Sequence, residues 1–192
     1  IDSRVRKSVA GNFDKVLRQS DSVLPHVRSD HDIYGRDGDP GIDQLTITKI
    51  NKIMPQVYGK LTAGYLEKMF AGVSGEILWK PISSSLGIGI ELSQVQQRNF
   101  DMLWGLQNYQ VTTGHLSAYY FFKNGFMTQL DAGQYLAGDR GYTLRVGRKF
   151  GNGWHMGAYA TVTNVPFTKF GEGSFDKGIF FNIPVYGNFI NY

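Results

Sequence analysis

The chain contains no cysteine, which removes disulfide scaffolds, cysteine-based zinc sites and thiol catalysis together. Proline is scarce, 6 in 192 residues, and none occurs from Ile82 up to Val165, so nothing in that stretch forbids paired central strands. Long apolar runs are missing as well. The longest, Ala118 to Phe122, falls far short of the roughly 20 residues that a membrane-spanning helix requires. Charge of one sign is also in short supply. Lys and Arg number 20 against 16 Asp and Glu, a net +4, and they form no dense patch able to neutralise a run of phosphates, which argues against nucleic acid as a partner. The sequence opens at Ile1 with no Met, no basic n-region and no apolar h-region, so it reads as a piece of a longer chain.

Glycine and aromatics are what the chain does have. There are 24 Gly, against a usual share of ~7%, with 13 Phe, 11 Tyr and 3 Trp. No G-X-Y period accompanies the glycine, so collagen is excluded and a turn-rich, aromatic all-β chain is the leading class.

Residues 1–43 read as a polar, partly helical lead-in, with Val9, Phe13, Val16 and Leu17 at helical spacing predicting a short helix near 7–20. The Asp/Gly cluster from Asp30 to Asp43 has the turn chemistry of a loop. From Gln44 the period changes to two, and residues 44–192 read as antiparallel strands of a β-barrel. Leu86, Ile88, Ile90 and Leu92 alternate with Gly87, Gly89, Glu91 and Ser93, one apolar row and one small or polar row. Similar runs begin near Lys60, Val73, Leu116, Phe126, Tyr142 and Trp154, with Leu78 the one exception to the alternation. Short polar links such as Lys123-Asn124-Gly125 and Gly151-Asn152-Gly153 join them as antiparallel neighbours. With outer candidates near 44–52 and 177–187, about nine strands are expected.

A soluble sandwich alternates too, so the solvent must be argued from other features. The polar row carries titratable or polar residues in mid-strand, which a wet lumen tolerates: Lys60, Glu76, Lys80, Glu91, Gln129, Asp131, Tyr135, Arg145, His155 and Tyr159 are the lumen-facing candidates. Aromatics (Trp79, Phe100, Trp104, Tyr109, Phe122, Phe126, Phe150, Trp154) gather towards run ends, where a bilayer barrel carries its girdles, and short links alternate with longer ones near 101–107 and 164–176. These features favour an antiparallel transmembrane β-barrel, or part of one, with its apolar row against lipid. A soluble β-barrel that binds or hydrolyses polysaccharide is the alternative.

Catalytic signatures are weak. Gly72-Val73-Ser74-Gly75-Glu76 approaches a nucleophile elbow but fails at its last position and lies within a strand. Asp30-His31-Asp32-Ile33-Tyr34-Gly35 begins like a calcium loop, yet Tyr34 stands where an oxygen ligand is needed and Gly41 replaces the closing Glu. The four His show no metal-ligand spacing, and the Gly171 to Gly178 segment lacks the ending of a phosphate cradle. Glu76, Glu91 and Asp131 could share a cavity as a glycosidase pair would, although nothing in the sequence fixes their separation. No metal, cofactor or enzymatic activity is expected.

Several ordered motifs carry a family resemblance. Thr62 to Val73, Gly75 to Pro81, Gln97 to Asp101, Thr113-Gly114-His115, Gln129 to Asp139 and Phe170 to Gly178 resemble the YjbH-like family of exopolysaccharide-biosynthesis outer-membrane proteins, and Leu24 to Asp30 looks like that family's approach to its strands. The resemblance implies a barrel in the outer membrane of a Gram-negative bacterium that works with lipoprotein and periplasmic export partners in making or exporting an exopolysaccharide or capsule. It brings no catalytic residues. Family members are several times longer, which implies that this chain is a C-terminal portion.

Overall fold

The computed structural model describes residues 1–9, 25–166 and 176–184. One antiparallel sheet of ten strands dominates, and its spatial order is the chain order. The strands are β1 (Asp2–Arg6), β2 (Gly41–Met54), β3 (Val57–Tyr65), β4 (Phe70–Trp79), β5 (Leu86–Arg98), β6 (Leu106–Phe121), β7 (Phe126–Gln134), β8 (Arg140–Lys149), β9 (His155–Thr163) and β10 (Asp176–Asn182), with one helix, α1 (His31–Asp37), between β1 and β2. Among the described residues β1 and β10 are the edges, and the sheet is not closed into a barrel. Strands β3 to β9 have 9 to 16 residues. That meets the about 9 to 11 residues that a tilted strand needs to cross a bilayer.

The two faces are inverted relative to a water-soluble sheet. On β5 and β6 the apolar row is the exposed one, with Leu92 at 61% and Leu116 at 56%, whereas Ser93 and Thr113 of the alternate row are at 6% and 7%. The same holds on β8, where Leu144 is 46% exposed and its neighbour Thr143 only 4%. Register carries the pattern across the sheet: Ile77, Ile90, Leu116, Ala132, Tyr142 and Val162 are successive partners on one face. A sheet curled towards its polar side gives this difference in burial. Leu78, the exception to the alternation, lies in the polar-face row beside Gly89 and Ser117.

Several sequence expectations need correction. Among the described residues there are ten strands, because Asp2–Arg6 pairs with the start of β2 and so ties the first residues of the lead-in to the sheet. The helix expected near 7–20 falls mainly on residues outside those described. The cluster read as a loop over 30–43 instead holds α1 and the start of β2. Asp30 offers no side-chain cap to α1; Tyr34 holds the helix by packing edge-on against Phe100, ring centroids 5.0 Å apart. The longer link 99–105 shares its end of the sheet with the short links 66–69 and 135–139, so among the described residues loop length does not alternate by end; the longer link expected near 164–176 falls mainly outside the described residues.

Tyr34, Met69, Phe70, Val95, Met102 and Val111 form the buried apolar cluster, with Phe100 and Tyr109 packed against it. Val95 and Val111 are direct partners on the polar face, so this small core covers one end of that face beneath α1. Phe100 and Tyr109 therefore leave the expected interfacial girdle for the core. Arg98, fully buried, organises the same end: its guanidinium donates to the carbonyls of Ile42, Glu67, Lys68, Met102 and Leu103 at 2.7 to 3.4 Å. It also lies 4.2 Å from the Tyr65 ring centroid. The Tyr34 hydroxyl donates to the Arg98 carbonyl, and burial pushes the Tyr34 phenol above its ordinary pKa.

Candidate functional site

A strand can show only one of its two rows to a given side, so the ladder decides which polar residues meet. Lys60, Glu76, Glu91 and His115 are successive cross-strand partners. Tyr119, Gln129, Arg145 and Tyr159 form a second row, and Ser117, Asp131, Thr143 and Thr161 lie between the two. His155 faces Lys149 further along the same face. Lys80, just beyond β4, and Tyr135, just beyond β7, lean onto this face too: a Cβ on Gly87 would meet Lys80 Cδ at 3.0 Å, and the Tyr135 hydroxyl is 2.7 Å from Thr143 Oγ1. All ten sequence candidates thus share the polar face, spread over most of the sheet instead of converging on one pocket.

The charges on this face are arranged in satisfied groups. Lys60 Nζ donates to Glu76 Oε1 at 2.6 Å, both side chains being about two-fifths exposed. Glu91 Oε1 accepts from Ser93 Oγ at 3.0 Å and Ser74 Oγ at 3.4 Å. Asp131, buried, accepts from Ser117 Oγ at 2.6 Å and receives both Gln129 Nε2 bonds at 2.8 and 2.9 Å, while Arg145 Nε stands 3.9 Å away. Burial of a carboxylate is tolerated when hydrogen bonds replace its water, which is what Ser117 and Gln129 supply. A separate chain of hydroxyls runs from Tyr135 to Thr143 at 2.7 Å and on to Thr161 at 2.8 Å.

Aromatic rings accompany the cations. Lys80 Nζ is 5.3 Å from the Phe121 centroid and Arg145 Cζ 5.9 Å from that of Tyr159. His115 meets Tyr135 edge-on at 4.8 Å, and His155 meets Phe180 in the same way at 5.2 Å. Among the described residues no group of three or more His, Asp or Glu could hold a metal ion. The Asp30 to Gly35 stretch that begins like a calcium loop is occupied by α1, and Gly72 to Glu76 lies inside β4.

Such a face can hydrogen-bond to hydroxyl-rich chains at many points and can stack on their apolar ring faces. Sequence reasoning passed over Tyr119, His115 and Phe180. Tyr119 was legible, since it falls two residues from Ser117 on the polar row. The clamp made by Arg98 and Tyr34 had no local signal, because its acceptors are backbone carbonyls brought from three separate segments.

The protein-family model described as "Exopolysaccharide biosynthesis protein YbjH" (family YjbH) matches residues 1–190. The chain is also similar to the "Uncharacterized lipoprotein YjbH" of Escherichia coli (strain K12), 36% identical over 187 residues. That match covers 93% of this chain and 26% of the relative, so the chain spans about a quarter of the curated relative's length. No solved structure matches. The strand motifs quoted from the sequence and the span of the family match agree, and the chain belongs to the YjbH exopolysaccharide biosynthesis family.

Proposed function

We propose that this chain forms part of the wall of an outer-membrane β-barrel, its apolar face against lipid and its polar face towards a wet interior, and that it serves exopolysaccharide or capsule export as conduit or scaffold without catalysis. The inverted burial of the two rows carries this reading. In water, side chains such as Leu92, Leu116, Leu144 and Ile90, each about half exposed, forgo about 1 kcal/mol apiece of transfer free energy. A contiguous apolar face of this extent exceeds what soluble monomers usually show. Lipid removes the penalty and leaves the buried Ser, Thr and Asp row to face one another and water.

Interfacial residues support the same placement. Trp79, Tyr120, Phe122, Phe126 and Trp154, all substantially exposed, cluster at the end formed by the links 80–85, 122–125 and 150–154, as a girdle requires. At the opposite end the outward row turns polar, through Gln94, Gln96, Gln110 and Thr112. The relative's name, a lipoprotein, supports an envelope location. Lipoprotein and periplasmic export proteins are this chain's proposed partners there.

A second reading has one observation in its favour. Glu76 and Glu91 are direct cross-strand partners, close enough to act as an acid and base pair in a soluble periplasmic protein that hydrolyses polysaccharide. Their hydrogen bonds to Lys60, Ser74 and Ser93 favour a structural role instead. Carbonate extraction of membranes bearing the full-length protein tests the proposal. Retention in the outer-membrane pellet is expected, and release of a folded protein into the soluble periplasm would refute it.

A further inference from the structure

Aromatic side chains on the polar face occupy space that glycines leave open. A Cβ on Gly178 would stand 2.7 Å from Tyr159 Cε1 and 2.9 Å from its hydroxyl oxygen. One on Gly157 would meet Phe180 Cζ at 2.6 Å, and one on Gly147 would meet the same atom at 3.2 Å. Gly89 holds Tyr119 Cε2 at 3.4 Å in the same sense. Each ring therefore rests over a glycine of a neighbouring strand, with Arg145 beside Tyr159 and His155 edge-on to Phe180. In a packed core such rings stand up to meet an opposing layer. Here the elements in substantial contact are ladder neighbours, so no opposing strand layer covers the rings among the described residues.

The cations beside these rings keep their charge available. Lys80 Nζ is held by the carbonyls of Ser84 at 2.6 Å and Pro81 at 3.3 Å, which orient it without cancelling its charge. Arg145, its side chain half exposed, is paired with Asp131 only at the long distance of 3.9 Å. Glu76 is paired with Lys60. What the row offers outward is thus ring, amide, cation, ring, repeated at the strand spacing of about 4.8 Å.

We infer that the row Tyr119, Gln129, Arg145 and Tyr159, flanked by Lys80 and Phe180, is a binding track for an acidic polysaccharide. Sugar rings stack on the solvated parts of these aromatic rings, and the carboxylates of uronic acid units pair with Arg145 and Lys80. This rests on the reading that the polar face borders a wet interior. The rings and cations are partly solvated, so each contact is weak and the polymer can be released, as passage requires.

The test uses the full-length protein in detergent micelles, titrated calorimetrically with oligogalacturonate and with a neutral cello-oligosaccharide of matched length. The expected dissociation constant for the acidic probe is about 1 mM, with the neutral probe about tenfold weaker. Arg145→Gln with Lys80→Gln should abolish the preference, bringing the acidic probe down to the affinity of the neutral one, whereas Tyr159→Leu should weaken both probes. Equal binding of the two probes, or a preference that survives the double substitution, overturns the inference. Lys80→Gln alone, remote from Asp131, reads the same preference if the double variant fails to assemble. Heat-modified migration on gels reports assembly separately: an assembled protein with no preference refutes the track and leaves the barrel reading intact.

Discussion

Placing Arg at Ile90 should cost about 2 to 4 kcal/mol of assembly free energy, the value for a lipid-facing position near the bilayer midplane. Ile90 is 49% exposed on the apolar face, between its partners Ile77 and Leu116, and lies midway between Leu86, which pairs with the girdle residue Tyr120, and Gln94. Gln94 lies on the same face of the same strand, four residues on. At about 3.4 Å per residue and a tilt near 40°, it sits about 10 Å nearer one surface, close to the edge of an apolar band about 25 Å tall. Gln94→Arg should therefore cost only about 0 to 1 kcal/mol. In water both positions are exposed surface, and either substitution would stay within about 0.5 kcal/mol. Urea unfolding of the full-length protein from lipid vesicles, followed by tryptophan fluorescence, measures the difference. Equal effects at Ile90 and Gln94 would refute the depth argument.

Four further outcomes are expected. Arg98→Met should destabilise the α1 end by about 3 to 5 kcal/mol, since five carbonyls lose their shared donor, and limited proteolysis should then cut first within residues 25–43. Burial raises the Tyr34 pKa, so its contribution is complete below about pH 10, the unfolded value, and is lost as pH climbs through the higher folded value; Tyr34→Phe should remove that part of the alkaline transition in a pH-denaturation profile. Gly178→Val should cost about 1 to 3 kcal/mol in thermal melts by displacing the Tyr159 ring, while Gly75→Ala, with nothing within 4 Å of the new Cβ, should be near neutral. Glu76→Gln, Glu91→Gln and Asp131→Asn should each leave polymer export and any polysaccharide cleavage unchanged; loss of a measured cleavage activity in an assembled variant would establish the enzymatic reading.

The alternation made β3 to β9 legible, because period two is a property of consecutive residues. The eight residues from Leu86 already specify both faces of β5. Where the outward row turns polar the signal fades: Leu106 to Gln110 extend β6, yet no apolar alternation marks them. β1, with the sequence Asp-Ser-Arg-Val-Arg, pairs through its backbone and through Arg6, which donates to the carbonyls of Tyr34 and Gly38. α1 is too short for a helical period to register and depends on Tyr34 finding a pocket built by distant strands. The candidate site was legible as a set of polar-row residues but not as rows across strands, because pairing Tyr119 with Gln129 and Gln129 with Arg145 depends on a register that turn geometry and packing set. The glycine seats beneath Tyr159 and Phe180 depend on the same register.

Single-cysteine labelling tests the central claim most directly, since these 192 residues offer no competing thiol. In the full-length protein, with any cysteine elsewhere replaced, Ile88→Cys, Gly89→Cys, Ile90→Cys and Glu91→Cys would each carry an environment-sensitive fluorophore in native-lipid vesicles. Lipid-dissolved quenchers should reach the labels at positions 88 and 90, and a water-soluble quencher those at 89 and 91, in strict alternation. Quenching of positions 88 and 90 by the aqueous agent, with no access for the lipid-borne one, would contradict the account and return this sheet to water.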